Sequence, residues 1–76
     1  MIQNIKSMFS KMDDTSRKDA FRYLEDAFDL QHAEATIGTW LSNGEIPEDY
    51  QPKIVLAFQN ILRAQELRIR RIKVNF

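Results

Sequence analysis

Hydrophobic residues recur at helical spacing in four stretches of this chain, separated by short polar breaks. Ile2, Ile5, Met8, Phe9 and Met12 share one helical face and predict a first helix over residues 1–12. The methionines on that face read as flexible core filler. Asp13-Asp14-Thr15-Ser16 is a break, and Ser16 followed by Asp19 resembles a capping box with Asp in place of Glu. A second helix over 16–29 follows, with Ala20, Phe21, Leu24, Ala27 and Phe28 on its buried side and Glu25, Asp26 and Asp29 on the other. Residues 30–33 make a turn. The third predicted helix covers 33–43, carries inward Ile37 and Trp40, and stops at Gly44. Ile46-Pro47-Glu48-Asp49 opens a fourth helix over 47–67, with Pro52 as a second candidate start. Val55, Phe58, Leu62 and Ile69 continue its apolar face, interrupted by Gln65.

Residues 68–76 read in two ways. Ile72, Val74 and Phe76 alternate with Lys73 and Asn75, which favours a terminal strand or extended arm. A continued helix would instead place Ile69, Ile72 and Phe76 on one seam. Either way the chain reads as an all-α domain of four helices with a distinct C-terminal segment.

At 76 residues the chain is one domain, and its core is small enough that a partner would help it. It has no cysteine, which removes disulfides and thiolate metal sites and fits a reducing cytoplasm. The start of the chain lacks the apolar run of a signal peptide, and no stretch approaches a membrane span. A cytoplasmic protein with no membrane partner is therefore expected. One histidine, His32, and no cysteine leave no nucleophile–base set, and Gly38 and Gly44 form no phosphate loop. His32 and Glu34 lack the further ligands of a metal site. No enzyme activity, metal or cofactor is expected.

Zero net charge hides a split. Residues 1–50 carry a net charge of −5, and residues 51–76 carry +5. Such a division hints at a charged partner or at self-association, and it would draw nucleic acid to the C-terminal end first. The plainer reading is that acidic and basic faces pair within the molecule.

The second and third helices fit a helix-turn-helix, in which two helices cross through a tight turn. Ala27 would be the small residue at the crossing, Leu30 would close the first helix, and Ile37 and Trp40 would anchor the second. Ala20 with a longer connection is an alternative register. From Ala35 to Pro47 the pattern Thr-Ile-x-x-Trp-x-x-x-Gly-x-Ile-Pro resembles the recognition helix and exit turn of phage Cro/repressor-type helix-turn-helix domains. Glu48 to Phe58 is similar to that family's next helix. Gln31 and His32 depart from it, standing where the family has a glycine and an apolar residue. The resemblance covers about half the chain and implies a compact helix-turn-helix domain that binds double-stranded DNA at a palindromic operator as a homodimer.

Residues placed to touch DNA are few. Asn43 or Gln31 could read adenine edges, Thr36 or Thr39 a thymine methyl or a phosphate, and Ser42 a phosphate. Glu34 could accept from cytosine. No Arg or Lys lies within 31–43, so backbone contacts fall to the flanking Arg22 and Lys53. Arg68, Arg70, Arg71 and Lys73 form either a phosphate arm or a dimer contact. The expected function is a transcriptional regulator, a repressor of the phage or plasmid kind. The alternative is a protein-binding antagonist of another regulatory protein on the same scaffold, favoured by the acidic N-terminal half.

Overall fold

The structure is a computed structural model that describes residues 2–74, and every described element is helical: α1 (Ile2–Ser10), α2 (Asp14–Phe28), α3 (Ala33–Asn43) and α4 (Gln51–Val74). The all-α expectation holds. α4 is the axis of the fold. Its inner face packs on α1 and α2, and α3 leans on α2. Tyr23 Oη donates to the Lys53 carbonyl, and Gln65 near the far end of α4 reaches Lys11 and Asp13. So α2 runs antiparallel to α4, and α1 runs parallel to it.

The core is Ile5 and Met12 near α1, Ala20 and Leu24 from α2, Ala33 and Ile37 from α3, Ile46, and Ile54 and Phe58 from α4. An aromatic layer closes around it. Phe9 lies 5.9 Å from Phe21 and 6.2 Å from Phe58, centroid to centroid. At the other end Phe28 stacks on Tyr50 at 4.1 Å, with Trp40 6.0 Å away. Trp40 is only half-buried, so it covers the rim of the core rather than filling its centre.

Helix ends differ from the sequence reading in five places, each for a local reason. α1 stops at Ser10 instead of residue 12; the Lys11 and Met12 N–H groups bond back three residues, to Met8 and Phe9, and Met12 is buried in the turn. α2 begins at Asp14, because Asp13 and not Ser16 is its cap: the Asp13 carboxylate accepts from the Ser16 backbone N–H at 2.9 Å. Ser16 itself is buried. α2 ends at Phe28, since Asp29 adopts left-handed backbone with φ 54°. Aspartate tolerates that conformation better than most non-glycine residues, and it hides the stop from a reading that looks for glycine. Pro47 to Tyr50 form a turn closed by Tyr50 N–H to Pro47 O, so α4 starts at Gln51 and Pro52 sits in its first turn, where no helical donor is needed. Gly44 is the C-cap of α3 as read, with φ 70°, and its N–H returns to the Trp40 carbonyl.

Ala27 is exposed, so it cannot be the small residue of a crossing; Ala20 and Ala33 are the buried alanines. Leu30 lies in the turn, half-buried, and does not close α2. The expected terminal strand or arm is corrected: α4 continues through Val74, since nothing between Pro52 and Lys73 breaks a helix. Asn75 and Phe76, the last residues of that expectation, lie outside the described residues.

Gln65, which interrupts the apolar stripe, has a structural task. Its Nε2 donates to the Lys11 carbonyl and its Oε1 accepts from the Asp13 N–H. It thereby satisfies both polar groups of the α1–α2 turn that face α4. Arg68 adds an ion pair to Asp13 at 2.7 Å. The Ser16 backbone N–H, then the Arg68 guanidinium, hold the Asp13 carboxyl below its ordinary value near 3.8. A lowered folded-state value means that this stabilisation is present above the unfolded value and is lost as pH falls through the folded one. The expected result is that Asp13→Asn narrows the gap in urea midpoint between pH 7 and pH 3, and an unchanged gap would remove this role from Asp13.

Candidate nucleic-acid interface

α3 is divided lengthwise. Ala33 and Ile37 are fully buried, with Trp40 and Leu41 half-buried beside them. At 100° per residue the opposite side is Ala35, Thr39, Ser42 and Asn43, with Gly38 at its edge. All five are exposed. A Cβ built on Gly38 would meet nothing within 4 Å, so this glycine serves no close approach inside the protein. The result is a smooth, solvent-facing helix surface without long side chains.

The sequence-derived contact residues divide accordingly. Thr39, Ser42 and Asn43 lie together on the open side, and Thr36 is half-buried at its margin. Thr39 Oγ1 donates to the Ala35 carbonyl at 3.1 Å, which fixes its rotamer and leaves its oxygen free to accept. Gln31 is exposed in the turn before α3. Glu34 turns toward α2, lining a groove of about 410 Å³ with Asp14, Arg17, Lys18, Phe21 and Gly38. Arg22 and Lys53 are exposed but line neither groove beside α3.

The cations that do border α3 come from α1 and the start of α2, and the sequence reading did not select them. Lys6, Phe9, Ser10 and Arg17 face Leu41 and Ser42 across a second groove, of about 290 Å³, which contains no carboxylate. Arg17 lines both grooves. Its guanidinium carbon sits 4.7 Å from the Phe9 ring centroid, and Nη2 donates to the Phe9 carbonyl. Its Nε is buried without a partner. Arg17 is therefore held in place by Phe9, with its Nε shut away from solvent. Lys6 and Lys18 stand exposed on either side. The helical pattern places Lys6 and Ser10 on one edge of α1, but only the docking of α3 shows which edge matters.

The C-terminal cations do not act as one cluster. Arg68 pairs with Asp13 of the same chain at a partly exposed position, the only ion pair among the described residues, and so stands apart from the other members of the expected phosphate arm or dimer contact. Arg70 and Arg71 are exposed on the last turns of α4, and Lys73 lies on its final turn. Among the described residues there is no group of three potential metal ligands and no helix long and apolar enough to cross a membrane.

Comparison of the chain with protein-family models, with curated proteins and with solved structures finds no match.

Proposed function

We propose that this chain is a small DNA-binding transcriptional regulator, of the repressor kind, that presents the open side of α3 to the major groove. The observation that carries the reading is the pairing of a bare, polar helix face with a carboxylate-free groove lined by Lys6 and Arg17 along its edge. A helix in the major groove needs cations at its flanks to hold the phosphates and short polar groups on its face to meet base edges. Thr39, Ser42 and Asn43 supply the second, and Lys6, Arg17 and Lys18 the first.

A second reading has one specific support. Asp14 and Glu34 line the α2 side of α3 together with Arg17 and Lys18. Such mixed charge suits a protein partner, as an antagonist of another regulator would need.

Fluorescence anisotropy with duplex DNA flanking the chain's own gene tests both. Wild type binds at low salt, and Asn43→Ala or Thr39→Ala weakens binding to the preferred sequence by about 1–3 kcal/mol while leaving nonspecific binding alone. Absence of any binding at about 50 mM salt, where phosphate contacts are strongest, overturns the DNA reading. Capture of a second regulatory protein by the same surface then decides for the antagonist.

A further inference from the structure

We propose that the outer face of α4 is a self-association surface, on which a second copy of this chain docks antiparallel. Leu56 and Leu67 are 62% and 52% exposed, the two most exposed large hydrophobic residues among those described. They lie on one side of α4. At 100° per residue Leu56, Asn60, Arg63, Leu67 and Arg70 fall within an arc of about 80°, opposite the buried Ile54 and Phe58. Two leucines on one face of a helix offer apolar area whose burial against a partner stabilises a pair.

Charge identifies the occupant. Phe28 stacks on Tyr50, so the end of α2 lies beside the start of α4. Asp26, Asp29, Glu45, Glu48 and Asp49 are all exposed at that end. The other end of α4 exposes Arg63, Arg70 and Arg71. Arg22 also stands near the first end, and Asp14 and Glu66 near the second, but carboxylates outnumber cations at the first and cations outnumber carboxylates at the second, on a molecule 42 Å long. α4 itself spans about 36 Å of that length. A parallel pair would set like ends together. An antiparallel pair sets the basic end of each copy against the acidic end of the other, and twofold symmetry makes the contact twice. Lys53 opposes the arginines, but it is outnumbered by Glu45, Glu48 and Asp49 in the preceding turn. The surface matches a second copy in both its leucines and its charge order, and the inference does not depend on the DNA reading.

Light scattering on DNA-free protein, from about 1 to 200 µM, tests it. The mass rises to that of a dimer at about 50 mM salt, and dissociation becomes at least about tenfold easier at 500 mM, where screening shortens to a few ångströms. The pair R70E/R71E is monomeric alone, as is E48K/D49K, with far-UV circular dichroism unchanged. Mixed, they form a one-to-one dimer, because both charged contacts are restored. Leu67→Ala weakens the wild-type dimer without unfolding it. A wild-type monomer at 200 µM in low salt overturns the proposal, and so does a mixture that stays monomeric. Charge-reversed variants that keep the dimer mass and lose only DNA affinity also overturn it, assigning the arginines to phosphate.

Discussion

Phe58→Ala is expected to cost this fold about 3–5 kcal/mol of stability at 25 °C. Phe58 is fully buried on the inner face of α4, with the Phe9 ring 6.2 Å away. It is the largest of the fully buried side chains, and it joins the helix that organises the fold to α1. Truncating such a residue costs about 3–5 kcal/mol, from lost transfer energy and the cavity left behind. A domain of this size has roughly 4–11 kcal/mol in total. The substitution therefore removes from about a quarter to all of the stability. Urea denaturation followed by circular dichroism should show the midpoint falling by about 2–4 M. Gln59→Ala, at the exposed neighbouring position, should stay within about 0.5 kcal/mol of wild type. A loss below about 1 kcal/mol for Phe58→Ala would mean that α4 is not the axis of the core.

The second large effect concerns DNA. Lys6→Glu combined with Lys18→Glu is expected to lower affinity at low salt by at least about 100-fold and to reduce the salt slope by about 2. Both lysines are exposed, so the fold should be unaffected. On the DNA reading each would make one phosphate contact on a different flank of α3, and reversal would replace attraction with repulsion. Arg22→Glu with Lys53→Glu serves as the comparison, because neither residue lines the grooves beside α3. If that pair does the greater damage, α3 is not approached from the side that Lys6 and Lys18 border. If the slope is unchanged in both, α3 does not lie against phosphates.

Much of the architecture is legible in the sequence. α3 has the bounds read for it, because Gly44 supplies an unambiguous stop and Ile37 a clear inner face. The other boundaries moved where the signal was borne by residues that serve several purposes. Asp13 and Ser16 are both good caps, and only the Gln65 and Arg68 contacts favour Asp13. Asp29 ends α2 in a conformation usually given to glycine. Residues 69–74 alternate over too few positions to separate a strand from a helix, and continuity with the preceding turns decided for the helix. Ile54 is fully buried, although its neighbour Val55 fits the same stripe almost as well.

The candidate interface was less legible. Its polar face was readable, since Thr39, Ser42 and Asn43 follow from the position of Ile37 alone. Its cations were not: Lys6, Arg17 and Lys18 lie far from α3 in sequence and reach it only through packing. Hydrophobic periodicity sets which side of each helix turns inward, because that depends on residues three and four apart. Sequence therefore determined four amphipathic helices, the stop at Gly44 and the imbalance of charge between the two halves. The tertiary structure decided which helix edges meet and that Arg68 is paired with Asp13. Those are contacts between residues distant in the chain, and no local pattern encodes them.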